Sequence, residues 1–193
     1  MCGRSVLGAW FEHWGGSPDP AIPALFRGYA LLYHEMESPP RITGSALGVI
    51  EGAGRGDPLF FKLCFEDFEG GDEATARSNL ERNQRIIETV VGAASRKGLP
   101  VLLGNALPMV AEHTEYWLVW NHRQYNRFLE RLASEHPGRV SVVDLYGVLA
   151  SPDGSLRAEY ALQPQDSHLN DAAYDALDGV LEGALYGLRH TDH

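Results

Sequence analysis

Residues 59–65, Leu-Phe-Phe-Lys-Leu-Cys-Phe, form a nearly continuous apolar run that is too short for a helix of its own. Such a run is typical of a buried central strand. Asp72 can cap the helix that follows, and apolar residues then recur at helical spacing until Gly98 ends the pattern. A second strand is predicted from Pro100 to Leu103. Strand, helix and strand in this order indicate a parallel sheet.

The same alternation continues on both sides of this unit. Before it, the sequence predicts a helix from Val6 to Trp14, a strand from Tyr29 to Met36 and a helix from Ile42 to Ala53. After it come a helix around Tyr125 to Leu132, a strand from Val140 to Leu145, a polar loop from Ser151 to Gln165 and a final helix from Asn170. We therefore expect an α/β fold in which helices cover both faces of a parallel sheet, in one domain over residues 1–193.

Composition narrows the possible partners and the location. The chain has 193 residues, of which 44% are hydrophobic, and this is enough for one well-buried core. Its formal net charge of -10 disfavours a nucleic-acid partner, because phosphate binding needs a concentrated basic surface. No apolar run is long enough to span a bilayer. Cys2 and Cys64 do not form the pattern of a secreted disulfide framework, so the expected location is cytoplasmic, unless an upstream leader has been lost.

Residues with catalytic potential are expected at the carboxyl ends of the strands, where parallel sheets bind ligands. Ser5 lies in a Gly-flanked turn, and Asp166 and His168 stand just before the final helix. A serine hydroxyl needs an adjacent base, and that base needs an orienting carboxylate, so these side chains have the types required for a nucleophilic triad. Each also has a simpler interpretation. Ser5 or Asp166 could be a helix cap, and His168 could be a loop histidine that satisfies backbone groups.

Two motifs resemble a known family. Gly3-Arg4-Ser5-Val6-Leu7-Gly8 is similar to the nucleophile block of the SGNH (GDSL-like) hydrolases, and Asp166-Ser167-His168-Leu169-Asn170 resembles their Asp/His block. The resemblance implies a flavodoxin-like three-layer α/β fold. It also implies a serine esterase or acyl hydrolase that uses Ser5, His168 and Asp166 and needs no cofactor. Small acyl esters or acetylated glycans are the substrates it suggests, and it equally allows an acyltransferase of the same fold.

The chain departs from that family's pattern at three places. Only Ser167 separates Asp166 from His168, where two residues are usual. Glu66 aligns with the oxyanion-hole asparagine of the family, and an anion there would repel a developing oxyanion, so another group must donate. The first strand of the fold is missing or truncated, because only residues 1–4 precede Ser5.

The remaining candidates for the oxyanion hole or the substrate site are Gly8, Asp67 and Asn105, together with the backbone N–H of Ser5. Of these, Asp67 is expected to hold a loop or the Ser5 turn by hydrogen bonding. Cys64 is expected to be an inert core residue, and the spacing of the histidines and cysteines predicts no metal site.

Two further alternatives stay open at the level of sequence. Trp117 and Trp120 either line an acyl or sugar pocket or cap the core beneath a loop. The alternative to an enzyme is a non-catalytic module of the same fold that binds a glycan or a protein partner. The sequence indicates no oligomeric state.

Overall fold

The computed structural model describes residues 6–16, 23–34, 39–68 and 71–189. Its helices are α1 (Val6–His13), α2 (Pro39–Gly52), α3 (Glu73–Lys97), α4 (Tyr116–Glu135), α5 (Leu145–Leu149) and α6 (Asp171–Arg189). Its strands are β1 (Ala24–Phe26), β2 (Tyr29–Leu31), β3 (Leu59–Lys62), β4 (Val101–Gly104), β5 (Val140–Val143), β6 (Ala161–Gln163) and β7 (Asp166–Leu169). The predicted helices and the strands β3, β4 and β5 occur, with ends that differ by a few residues. The strand predicted from Tyr29 to Met36 is shorter, and it pairs antiparallel with β1 in a separate two-stranded sheet, so it does not belong to the parallel sheet. The strand predicted from Tyr29 is β2, and residues 35–38 lie outside the described range.

The main sheet consists of β3, β4 and β5, which run parallel in that order. Leu59 lies opposite Val101, and Val101 lies opposite Val140. Every residue of β4 is buried, as expected for a strand with a neighbour on each side and helices above and below. Within the described ranges, the strand predicted to be central, β3, therefore lies at the edge of this sheet, and β4 is its centre.

Apolar side chains pack on both faces of the sheet. On one face, Ile42, Ile87 and Leu129 from α2, α3 and α4 pack in one cluster with Leu103. On the other face, residues of α1, α5 and α6 form a second cluster around Leu102. Leu102 and Leu103 serve opposite faces because successive side chains of a strand alternate. The predicted three-layer α/β fold with a parallel sheet is therefore confirmed.

The longest helix, α3, begins and ends at the capping residues that the sequence predicts. The Asp72 carboxylate accepts a hydrogen bond from the Thr75 backbone N–H at 2.9 Å, which satisfies a free donor of the first turn. Gly98 adopts a φ of 76°, and its N–H returns to the carbonyls of Ala94 and Ser95. A left-handed cap of this type favours glycine because a side chain strains that conformation.

Close packing at the end of β4 requires a glycine. A Cβ added to Gly104 would lie 2.8 Å from the Cβ of Lys62 and 3.1 Å from the Cδ1 of Leu145. Both separations are shorter than normal van der Waals contact. The missing side chain therefore allows Lys62, on the neighbouring strand, to lie close against the sheet.

The segment before α6 differs from the sequence prediction. The polar loop predicted from Ser151 to Gln165 contains β6, which pairs antiparallel with β7. Ala161 lies opposite Leu169, and Gln163 lies opposite Asp166. Asp166 and His168 thus lie on a strand of a hairpin and not on a loop, because cross-strand pairing extends this polar segment.

A partly buried polar contact helps to join α1 and the residue after it to α6. The indole N–H groups of Trp10 and Trp14 both donate to one carboxylate oxygen of Asp178, at 2.7 and 2.8 Å. Trp10 is fully buried. This contact fixes the helix that follows Ser5 against the helix that follows His168. Over the described ranges, none of the helices has the length and apolar character to cross a bilayer.

Candidate active site

Asp166 and His168 form a hydrogen-bonded pair on β7. Residues two apart on a strand point to the same side, and this brings the two side chains together. The imidazole Nδ1 lies 2.5 Å from Oδ1 of Asp166, and the backbone N–H of His168 donates to the same oxygen at 2.9 Å. Because an ionised carboxylate only accepts, Nδ1 carries the proton and Nε2 keeps its lone pair.

The free nitrogen of this pair faces outward. The His168 side chain is 28% exposed, and no described residue makes a hydrogen bond to Nε2. The hydrogen bonds from the His168 backbone and ring hold the pKa of the Asp166 carboxyl below its ordinary value. The carboxylate is therefore ionised at neutral pH and can stabilise a positive charge on the ring. The pair has the arrangement of a general base with its orienting acid.

Ser167, which lies between Asp166 and His168, has a structural role. Ser167 points to the opposite side of β7 and is buried. Its hydroxyl accepts a hydrogen bond from the Val110 backbone N–H at 3.1 Å, which ties the hairpin to the loop after β4. A strand needs this one-residue separation to place Asp166 and His168 on one side. The departure from the usual spacing is thus compatible with a well-formed pair.

A short helical turn at residues 65–68 lies beside His168. The Phe65 ring meets the imidazole edge to face at a centroid distance of 5.9 Å. Asp67, which is 4% exposed, accepts a hydrogen bond from the Cys64 backbone N–H at 2.9 Å. The Asp67 carbonyl accepts hydrogen bonds from the side chains of Arg82 and Asn83 at 2.7 and 2.9 Å. These contacts give Asp67 the loop-holding position that its sequence context predicts.

Ser5 lies outside the described residues, but the helix that follows it does not. Val6 is 1% exposed and belongs to the same apolar cluster as Phe65 and Leu169, which flank His168 in space and in sequence. Gly8 is buried under Tyr33, and a Cβ added there would lie 3.2 Å from the Tyr33 hydroxyl. The start of α1 and the Asp166–His168 pair therefore share one packed region.

Comparison with known proteins identifies the fold. No protein-family model matches the chain, and no curated protein sequence matches it significantly. Among solved structures, a GDSL-like lipase from Bacteroides thetaiotaomicron is 13% identical, with a TM-score of 0.56 over 77% of this chain and 68% of that chain. The chain has the fold of the GDSL-like hydrolases.

Two further structures have a similar fold. The OSK domain of Drosophila Oskar is 14% identical, with a TM-score of 0.55 over 77% of this chain and 71% of that chain. A Streptococcus pneumonia protein provisionally described as a platelet activating factor is 24% identical, with a TM-score of 0.53 over 75% of this chain and 68% of that chain. These likenesses show a shared fold and assign no chemistry to this chain.

Asn105 directly follows β4, at the carboxyl edge of the sheet where ligands are expected, but its side chain is bonded within the fold. Its amide donates to Asp144 at 2.7 Å, and its amide oxygen accepts from the Tyr146 backbone N–H at 2.8 Å. The side chain thus joins the ends of β4 and β5. Its role as an oxyanion donor stays a prediction.

Glu66 and Asp67 are adjacent in sequence but differ in environment. Glu66 is exposed on the turn, whereas Asp67 is buried. Burial raises the pKa of the Asp67 carboxyl, although the hydrogen bond from Cys64 and the charge of Arg82 oppose this shift. Because one carboxyl is exposed and the other is buried, Glu66 and Asp67 do not form a shared acid–base pair at the turn.

Sequence reasoning missed a buried polar group on α4. His122 is 0% exposed, and neither ring nitrogen has a hydrogen-bond partner among the described residues. The rings of Phe68 and Tyr146 surround it at centroid distances of 5.1 and 5.7 Å. Burial lowers the pKa of His122 to about 3. Its helical spacing with Leu118 and Tyr125 was the signal that placed it on the core face.

The tryptophans at the start of α4 pack on the surface of the same helix. Trp117 and Trp120 meet edge to face at 5.7 Å, and the Arg77 guanidinium lies 4.9 Å from the centre of the Trp120 ring. Their predicted roles, as pocket lining or core cap, both stay open. Across the described ranges, no cluster of three or more His, Cys, Asp and Glu side chains could hold a metal ion.

Proposed function

We propose that the protein is a serine ester hydrolase, with Ser5 as nucleophile, His168 as general base and acid, and Asp166 as the carboxylate that orients His168. The observation that carries this proposal is the 2.5 Å contact between Asp166 and Nδ1 of His168, which leaves Nε2 free to accept a proton. The GDSL-like fold supports it, since the B. thetaiotaomicron neighbour is described as a lipase.

The mechanism follows from these roles. The Ser5 hydroxyl attacks the ester carbonyl carbon while its proton passes to Nε2 of His168, and Asp166 stabilises the imidazolium. The tetrahedral intermediate collapses when His168 returns the proton to the leaving alkoxide, which leaves an acyl group on Ser5. Water then attacks the acyl group with His168 again as base, and the acid is released. If an alcohol replaces water, the same steps give acyl transfer.

The oxyanion needs donors close to Ser5. The positive end of the α1 helix dipole favours a developing anion at the start of that helix. The candidate donors nearest to it in sequence are the Ser5 backbone N–H and Gly8. Asn105 already gives one amide hydrogen to Asp144, so backbone donors carry most of this role in our proposal. The proposed substrates are small acyl esters, including acetyl groups on glycans.

The test combines a covalent probe with variants. An alkyl fluorophosphonate should label Ser5 in the purified protein, as read by peptide mass spectrometry, and p-nitrophenyl acetate should be hydrolysed. Ser5→Ala should abolish both signals. His168→Ala should lower the rate about 1,000-fold or more.

Matched controls exist at the far end of the sheet. Ser134 and His136 lie at the end of α4, before the first residue of β5. Ser134→Ala and His136→Ala should keep the wild-type rate within about twofold, because surface changes away from the site have small effects. Absence of labelling, or hydrolysis that survives Ser5→Ala, would contradict the proposal and favour a binding module.

A further inference from the structure

A cleft of about 110 Å³ opens at the carboxyl end of β3. Its walls are mainly apolar and include Leu7, Ile42 and Phe60. Leu7 lies two residues after Ser5 in sequence. A volume of this size holds about four groups of the size of water or a methylene. The cleft therefore suits a short chain and excludes a large one.

Lys62 brings a positive charge to this apolar cleft. The residue lies against Gly104 on the neighbouring strand and is only partly exposed. Among the described residues, none makes a hydrogen bond or a close ion pair with its ammonium. Burial lowers the pKa of Lys62 more than the neighbouring Cys64 and Asp67 raise it. Removing a cation from water is costly, and an anion in the cleft would offset this cost.

Asp67 also lines the cleft, but its carboxylate interacts with groups other than Lys62. Its Oδ2 accepts from the Cys64 backbone N–H, and its Oδ1 faces the Arg82 guanidinium at 4.0 Å. Arg82 also donates to the Asp67 carbonyl. Arg82 is thus the close cationic partner of Asp67, and the charge of Lys62 stays available to a ligand.

We infer that the cleft binds a short aliphatic carboxylate and that Lys62 is its counter-ion. The apolar walls contact the methylene groups of the ligand, and the Lys62 ammonium binds its carboxylate. This inference rests on the proposed function for its catalytic consequence: the preferred substrates are half-esters of small dicarboxylic acids, whose acyl group ends in a carboxylate. Lys62 is then a specificity determinant that touches the acyl chain and takes no part in proton transfer.

The first test measures binding without catalysis. Titration calorimetry with succinate should show one site, and the neutral analogue succinamide should not bind. Lys62→Met should weaken succinate binding by about 30-fold or more, because it removes one partner of a partly buried charge pair. The matched control is Lys97→Met, since Lys97 is the only other lysine and bonds the Glu51 carbonyl on the surface. Equal succinate binding in both variants would overturn the inference.

The second test measures selectivity in a pH-stat assay with monoethyl succinate and ethyl butyrate. Wild type and Lys97→Met should prefer the succinyl ester in kcat/KM, and Lys62→Met should prefer the butyryl ester. Lys62→Gln serves the same purpose if Lys62→Met does not fold.

The two proposals fail in different ways. Succinate binding that depends on Lys62, with no hydrolysis of either ester, would uphold the cleft and contradict the hydrolase. Hydrolysis of both esters with an unchanged ratio in Lys62→Met would uphold the hydrolase and contradict the cleft.

Discussion

Two histidines of this molecule lie on either side of one short turn and have opposite surroundings. Phe65 packs against His168 and Phe68 packs against His122, at 5.9 and 5.1 Å. His168 reaches solvent and has a carboxylate on one nitrogen. His122 is fully buried and has no partner on either nitrogen.

The difference shows what makes a histidine usable as a base. A proton that arrives at His168 is stabilised by Asp166 and can be exchanged with solvent or substrate. A proton on His122 would be an uncompensated charge among aromatic rings, which burial opposes. His122 therefore acts as an apolar core residue, and residue type alone does not separate the two roles.

The largest effect is expected for Asp166→Asn, which removes the carboxylate that distinguishes His168 from His122. The amide oxygen can still accept, but the amide can also donate to Nδ1, which favours the wrong tautomer and leaves the imidazolium without its counter-charge. Ester hydrolysis should fall about 1,000- to 10,000-fold, while the free energy of unfolding in urea should change by less than about 0.5 kcal/mol. Asp57→Asn is the control, since Asp57 also accepts a backbone N–H, from Gly54, far from the site. A loss smaller than about tenfold would show that Asp166 is not the orienting acid.

The second prediction concerns acid stability and His122. The folded state keeps this ring neutral down to about pH 3, whereas the unfolded chain takes up a proton near its ordinary pKa of 6.5. The unfolded state therefore binds more protons below pH 6.5, and stability falls as the pH falls, by about 1.4 kcal/mol per pH unit from this residue alone.

Urea unfolding of wild type and His122→Leu between pH 7 and about pH 4 measures this contribution as a difference of slopes. His122→Leu should lose less stability on acidification, and His136→Ala should follow wild type. Identical slopes for wild type and His122→Leu would mean that the folded protein charges this ring.

The smallest effect is expected at the turn that separates the two histidines. Asp67→Ala leaves the Cys64 backbone N–H without its acceptor and should cost about 1–3 kcal/mol in the urea unfolding free energy. Asp67→Asn should cost less, because an amide oxygen can still accept and because burial disfavours the charged carboxyl. The comparison of the two variants at pH 7 tests the role of the hydrogen bond. Equal losses would assign the effect to packing.

The sequence predicts the structure best where an element depends on residues close together in the chain. Helix α3 begins at Asp72 and ends at Gly98 as expected, because a cap depends on residues within one turn. The hairpin of β6 and β7 was missed because its strands are polar and exist through pairing with each other. The partner of Asn105 lies 39 residues away, at Asp144, and only the fold could bring them together. Features that depend on contacts between residues far apart in the chain, such as this hairpin and the Asn105–Asp144 hydrogen bond, therefore could not be predicted from local sequence patterns.

The contact of Trp10 and Trp14 with Asp178 also sets an order of events during synthesis. These partners are 168 and 164 residues apart in the chain. At about 5–20 residues per second, the ribosome takes roughly 8 to 33 seconds to add α6 after α1 has been made. Throughout that interval the apolar face of α1 lacks its main cover. The cover for α1 and the Asp166–His168 pair therefore both wait for the synthesis of residues 166–189.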